Sequence, residues 1–374
     1  MSKRLKIAMF FSSDASQAGG VQEHVYYLSK HLSDLGHEVT VLGPEKNILP
    51  YINYKSVAKS LVIPLPSGNR GNITIENENS KKIFRKINKN YDIVHIHEPY
   101  IPFVSWELMK LIKIPKIVTY HATWDRNSGI NLLNSFVPLL KHDSFETVKG
   151  SIFVSSRTRE CWEEAFEIKG FKKIIANGVN LNVFKSNNFR QEKRINILFM
   201  ARIVPKKGLR YLIKAFEKVL KKNKDVFLSV VGDGSEKEYL ENYVESKDLS
   251  NYIKFFGYVN NIKKPLFFQK ADIFCAPYIN EGFGITILEA MASGIPIVAF
   301  RNDAFEEILG KYPHKELIVK KNVGNLYHAL EKIIEDKKTR ENLKNWELKE
   351  VQKYSWKKIA REIEEFYIKI LNHG

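Results

Sequence analysis

At 374 residues, with 44% hydrophobic and 27% charged residues, the chain suits two globular domains, and with no run of ~18 apolar residues it excludes a membrane-spanning helix. Two isolated cysteines, Cys161 and Cys275, exclude a disulfide framework or a structural zinc centre and fit a reducing compartment. The formal net charge of +17 draws polyanions, whether nucleic acid, anionic lipid headgroups or phosphorylated ligands, and by itself does not choose among them.

After Lys3-Arg4-Leu5-Lys6, the apolar run Ile7 to Phe11 is too short for a signal peptide and reads as a first core strand. An amphipathic pattern over Gln22 to Leu35 and a β-rich run at Glu38 to Leu42 complete a βαβ unit. The polar, Asn-rich stretch Gly68 to Asn79 reads as a loop. In Ser80 to Lys89, residues Ile83, Phe84 and Ile87 make one helical face, surrounded by Lys81, Lys82, Arg85, Lys86 and Lys89. Such a helix either lies on anionic lipid or packs its narrow apolar face on a sheet.

Further β-rich runs at Ile93 to Ile96, Lys116 to Tyr120 and Ser151 to Val154 are spaced for crossover helices, so the first half is predicted to be a doubly wound parallel sheet. His95 and His97, on a strand and its exit, are read as facing opposite sides with no third ligand at metal spacing, and no metal site is expected. Asn177 to Asn188 is polar, aperiodic and rich in turn residues, which marks a domain boundary. A second alternation follows, with strands at Asn196 to Ala201, Val226 to Val231, Ile253 to Phe256, Ile273 to Ala276 and Ile297 to Ala299, and a helix over Gly208 to Leu220. Ser355 to Leu371 carries Ile359, Ile363, Phe366, Tyr367 and Ile370 at helical spacing and reads as a packing helix. The predicted domains are 1–183, 184–354 and a C-terminal helix, 355–374, that packs back on the first.

Three runs carry candidate chemistry. Gly19-Gly20 stands between the first strand and first helix, where a backbone without side chains can approach an anion at the helix N-terminus. Arg202 and Lys207 bracket a short loop at a strand end, a spacing that can clamp the phosphates of a leaving nucleoside diphosphate. In Glu281-Gly282-Phe283-Gly284 through Glu289, the glycines make a backbone-lined loop and Glu289 falls in the helix that follows, so both carboxylates can accept from one ligand's hydroxyls. His121 ends a strand where α/β folds bind ligands.

Together these runs resemble the family 4 glycosyltransferases of the GT-B type, over nearly the whole chain and in the right order. The resemblance rests on Ala18-Gly19-Gly20-Val21-Gln22-Glu23-His24, Asp92 to Pro99, Tyr120-His121, Asn177-Gly178-Val179, Arg202 with Lys207, and the E-x7-E pair Glu281 and Glu289. Asp303-Ala304-Phe305 is similar to the phosphatidylinositol mannosyltransferase branch. The fold it implies is α/β: two Rossmann-like doubly wound parallel-sheet domains facing across a cleft, the first binding acceptor and the second binding donor.

The resemblance also implies residue roles. Arg202 and Lys207 hold the diphosphate, Glu281 the transferred sugar and Glu289 the ribose, with Gly19, Gly20, Gly232, Gly282, Phe283 and Gly284 around the donor. His121 stands beside the anomeric centre, contacting the sugar without acting as a covalent nucleophile. Transfer is then retaining, from a GDP-sugar or UDP-sugar to a lipid or glycan, with GDP-mannose favoured. No Asp-x-Asp motif stands near a strand end, so neither cofactor nor catalytic metal is expected. The matching helix in the mannosyltransferase branch docks on membrane, which assigns Lys81, Lys82, Arg85 and Lys86 to an anionic surface at the inner face of the cell membrane. Basic residues are spread along the chain without an RNA or DNA motif, so no nucleic acid partner is expected. A nucleotide-sugar epimerase, or a binder that does not transfer, remains the alternative on the same scaffold.

Overall fold

Alternate side chains of the first strand, β1 (Lys6–Phe10), feed two different cores. Ile7 and Met9, with Leu5 and Phe11, join one buried cluster, while Ala8 and Phe10 join another on the opposite face. A strand that is apolar on both faces is the mark of a parallel sheet covered by helices on each side, and the structure, a computed structural model, builds that arrangement twice. It describes residues 3–12, 19–44, 52–64, 70–101, 103–123, 145–165, 167–185 and 194–373. The chain divides into two units, Met1–Gly178 with Trp356–Gly374, and Val179–Ser355.

In the first unit β1 lies between β2 (Glu38–Pro44) and β5 (Ile93–His97), parallel to both. The sheet continues through β6 (Lys116–Tyr120), β7 (Val148–Phe153) and β8 (Phe171–Ile174), and on its other side through β3 (Tyr54–Pro64) and β4 (Arg70–Glu76), in the order β4-β3-β2-β1-β5-β6-β7-β8. Helix α1 (Gly20–Asp34) buries His24, Val25, Leu28 and Leu32 at helical spacing. The C-terminal helix, Trp356–His373, belongs to this unit, with Ile359, Ile363, Phe366, Tyr367 and Ile370 all in the β1–α1 core. His37 fixes it further: its Nδ1 accepts from the Leu5 amide at 3.1 Å while Nε2 donates to Glu364 Oε1 at 3.0 Å.

The expected loop Gly68 to Asn79 is corrected here. Residues 68 and 69 lie outside the described residues, but Arg70–Glu76 is an edge strand, paired antiparallel with β3 from Pro64↔Arg70 to Ala58↔Glu76. Backbone pairing along its whole length holds it to β3, and Ile75 stays 38% exposed. Helix α2 (Ser80–Asn90) settles its own ambiguity, because Phe84 and Ile87 are fully buried in the second cluster of this unit and Ile83 packs against it. The apolar face is therefore core and not available to lipid, whereas Lys81, Lys82, Arg85 and Lys86 are exposed.

The second unit is a parallel sheet of β9 (Ile195–Met200), β10 (Val226–Val231), β11 (Ile253–Phe255), β12 (Ile273–Ala276), β13 (Ile297–Phe300) and β14 (Ile318–Val319), ordered β11-β10-β9-β12-β13-β14. In both sheets the order reverses beside the first strand, between β1 and β5 and between β9 and β12, and ligands of doubly wound sheets bind beyond the carboxyl ends at that point. Among the described residues no helix is long and apolar enough to cross a membrane.

Candidate active site

Both reversal points gather the chemistry of their unit. In the second unit Arg202 follows β9, and Pro205–Lys207 forms a single 3-10 turn that leads through Gly208 into the Leu209–Leu220 helix. Gly208 has φ +69, and a Cβ there would stand 2.0 Å from the carbonyl oxygen of Pro277. Only glycine permits so close an approach, and it brings the turn against the segment after β12, where the Ile279 amide donates to the Lys206 carbonyl at 2.9 Å. As a result Lys207 Nζ ion-pairs with Glu281 Oε2 and lies 4.3 Å from the centre of the Tyr278 ring. Tyr278 is held in turn by its hydroxyl, which donates to the Met200 carbonyl at 2.7 Å.

Burial pushes the Glu281 carboxyl up, but Lys207, Lys206 and the Gly282 amide outweigh it and hold the group below its ordinary value, so it is an anion at neutral pH. Lys206 is shifted down by desolvation and by the cations Arg202 and Lys207, with Glu281 opposing. Those mutual influences place Arg202, Lys206, Lys207 and Glu281 in one electrostatic neighbourhood. Gly232 follows β10 with φ +144, and a Cβ there would meet the Ala201 carbonyl oxygen at 1.9 Å, so the two strand exits run in close contact.

The remaining donor residues are placed less openly. Gly284 caps the Ile285–Ser293 helix, Gly282 donates its amide to Glu281 Oε1 at 3.2 Å, and the Phe283 side chain is buried. Glu289 is fully buried on that helix and ion-pairs with Lys264 at the start of the Lys264–Lys270 helix. Lys264 went unmarked in the sequence because it stands 25 residues from its partner in no motif.

In the first unit the reversal point collects histidines. Gly19 and Gly20 open α1, whose His24 is buried, while His97 ends β5 and His121 follows β6. The expectation that His95 and His97 face opposite sides is wrong: residues two apart on a strand share a face, and the two rings lie 4.2 Å apart. His95 is satisfied on both nitrogens, by the Tyr367 hydroxyl and Thr119 Oγ1, each at 2.6 Å. His97 Nδ1 and His121 Nε2 share a hydrogen bond at 3.1 Å, and His24 Nδ1 donates to Asn177 Oδ1 at 2.7 Å. No third ligand was legible along the sequence, yet in space His24, His97 and His121 each bring a ring nitrogen within 4.8 Å of the others.

Burial lowers the pKa of His24 to about 4, Asn177 opposing, and holds His95, His97 and His121 well below their ordinary value, with neighbouring histidines adding to the effect. Between pH 6.5 and about 4 the unfolded chain binds a proton at position 24 that the fold rejects. Stability is therefore complete above pH 6.5 and is lost as the pH falls toward 4, by roughly 3 kcal/mol from His24 alone. Thermal unfolding in chelator-treated buffer is expected to show a falling midpoint across that range, steeper than for His24→Gln; a midpoint flat from pH 7 to 5 would refute the neutral cluster.

Residues 18–183 match the family model described as Glycosyltransferase Family 4, and residues 180–347 the model described as Glycosyl transferases group 1. The phosphatidyl-myo-inositol mannosyltransferase of Mycolicibacterium smegmatis is 28% identical, over 99% of this chain and 95% of that protein. The alpha-monoglucosyldiacylglycerol synthase of Acholeplasma laidlawii is 27% identical, over 81% of this chain and 82% of that protein. Among solved structures, Anabaena HepE in complex with UDP and glucose superimposes with a TM-score of 0.76 at 17% identity, covering 97% of this chain and 99% of that one. The sucrose-phosphate synthase of Thermosynechococcus elongatus gives 0.76 at 18% identity, covering 99% and 100%.

Proposed function

The chain belongs to the family 4, group 1 glycosyltransferases, with the GT-B fold, and from that premise we propose that it transfers mannose or glucose, with retention, from a nucleoside diphosphate sugar to a membrane lipid or glycan. The observation that carries this reading is the cation cluster of Arg202, Lys206 and Lys207 around the ionised Glu281 at the reversal point of the second sheet. A leaving diphosphate gains negative charge as the glycosidic bond breaks, and preoriented cations stabilise that charge most where it grows. Lys207 exchanges its carboxylate partner for the diphosphate when donor binds, and Glu281 is then free to accept from sugar hydroxyls. The donor oxygen that leaves takes the acceptor's proton on the same face, so configuration is kept without an enzyme nucleophile. His121 contacts the transferred sugar, and positioning with electrostatics supplies the rate without a metal.

The similarity to a phosphatidyl-myo-inositol mannosyltransferase and to an alpha-monoglucosyldiacylglycerol synthase supports a lipid acceptor and a working place on the inner face of the cell membrane. Incubation with labelled GDP-mannose or UDP-glucose and membrane extract tests the reading. Label entering lipid or glycan, with the anomeric configuration retained and activity persisting in excess chelator, is the expected result. An isomerised free donor, or activity that chelator abolishes and Mg2+ or Mn2+ restores, overturns the transferase or the metal-free reading respectively.

Docking is proposed to be electrostatic, through the exposed cations of α2, since its apolar side is already committed to the core. Replacing Lys81, Lys82, Arg85 and Lys86 with Ser is expected to weaken cosedimentation with phosphatidylserine vesicles by ~10²–10³-fold at low salt, at about 1 kcal/mol per basic residue. Unchanged cosedimentation would remove α2 from the membrane contact.

A further inference from the structure

The transferase reading uses one ring of the histidine cluster, His121, and leaves the buried His24 and His97 without a task. We propose that His24, His97 and His121 form a capture site for a borderline divalent transition-metal ion such as Zn2+, and that the bound ion switches sugar transfer off. The inhibitory half rests on His121 serving the donor sugar; the binding half does not.

Three observations on separate elements support the site. One ring nitrogen of each histidine lies within 4.8 Å of the others, the rings coming from the first turns of α1 and from the exits of β5 and β6. Imidazole nitrogens at ~2.0–2.1 Å from a tetrahedral zinc stand roughly 3.4 Å apart. His97 Nδ1 and His121 Nε2 already stand 3.1 Å apart, and the His24 ring centre lies 4.7 Å from that of His121, so binding draws His24 toward a pair already at ligand spacing. His24 is 1% exposed, yet its Nε2, on the other side of the ring edge from the Asn177 contact, has no hydrogen-bond partner. Buried polar atoms are rarely left so, and an unsatisfied ring nitrogen beside two further imidazoles points to a missing ligand.

Asn177 supplies the third observation. Its Oδ1 accepts from His24 Nδ1 at 2.7 Å, which fixes the tautomer with a bare lone pair on Nε2. A second partner that orients the ring and raises its basicity is the usual companion of a metal-bound histidine. The N–H that His97 Nδ1 and His121 Nε2 share has only to move to the other nitrogen of its ring for both to offer a lone pair. His121 is only half-buried, which leaves an open side for the ion to enter and for water as a fourth ligand. Three imidazoles suit Zn2+, Ni2+ or Cu2+ and not Mg2+ or Ca2+, so the site is distinct in chemistry from a catalytic magnesium centre.

The test begins without donor or acceptor. Tag-free chain titrated with CoCl2 is expected to develop the intense visible band of a tetrahedral ion at one equivalent, and ZnCl2 to displace it. His24→Gln and His97→Gln should each weaken binding at least tenfold, and Asn177→Leu by about 10–100-fold. X-ray absorption of the wild-type zinc form, which needs no variant to fold, should give three imidazole scatterers. Binding that survives both histidine variants, or a single imidazole scatterer from an exposed ring such as His328, overturns the site. Zn2+ bound at the cluster with no loss of transfer overturns the switch alone, and absent transfer with intact cobalt binding faults the transferase reading and not the site.

Discussion

Lys207→Ala is expected to slow sugar transfer by ~10²–10³-fold at saturating donor, the usual effect of removing one preorganised charge from a developing anion. Two consequences combine at this position. The leaving diphosphate loses a cation, and Glu281, whose side chain is 21% exposed, loses the partner that keeps it ionised against its burial. Glu281→Gln separates them, because it removes the sugar ligand while leaving Arg202, Lys206 and Lys207 in place. Lys207→Ala should therefore weaken binding of the free nucleoside diphosphate, measured by calorimetry, whereas Glu281→Gln should lower kcat with that affinity unchanged or higher. Equal loss of diphosphate affinity in both variants would show that the pair acts as one structural unit and that the separate roles are wrong.

The strands were legible wherever β-branched and aromatic residues ran without interruption, as in Lys116 to Tyr120, because a strand covered on both faces needs no alternation to announce itself. The edge hairpin was not. Tyr54–Pro64 and Arg70–Glu76 carry Lys, Asn and Gly among their apolar residues, and their pairing is a backbone property that side-chain periodicity does not record. The helix Ser80–Asn90 was legible as a helix but not as to what its apolar side meets, since lipid and sheet ask for the same residues. At the site, loop chemistry could be read from glycines and cations in short runs, and Lys207 does meet Glu281 across 74 residues. The histidine cluster depends on strand parity, which puts His95 and His97 on one face, and on a contact between His24 and Asn177 across 153 residues, which no local pattern contains. The domain division at Gly178 falls inside the polar, turn-rich stretch Asn177 to Asn188, and the one at Ser355 falls where the C-terminal helical pattern begins.

Glu289 is where sequence resemblance and packing make different demands. Resemblance assigns it to the donor ribose, but its side chain is fully buried and paired with Lys264, itself only 14% exposed. Breaking one partner of such a pair costs ~3–5 kcal/mol because the survivor stays buried and charged, so Lys264→Met is expected to lower the unfolding midpoint of the second unit by roughly 6–20 °C. Lys264→Met combined with Glu289→Leu should recover most of that loss, since an apolar pair of similar volume needs no counter-charge. Ribose binding demands more than stability: Lys264 must swing aside so that a carboxylate oxygen can accept from vicinal hydroxyls. Glu289→Gln keeps the shape and one acceptor, and if the ribose role holds it raises the donor KM several-fold more than the stability loss accounts for. A KM unchanged in Glu289→Gln, beside a lowered midpoint, would leave Glu289 as the inner half of a packing ion pair and assign ribose recognition to backbone near Gly232, where the two strand exits already touch.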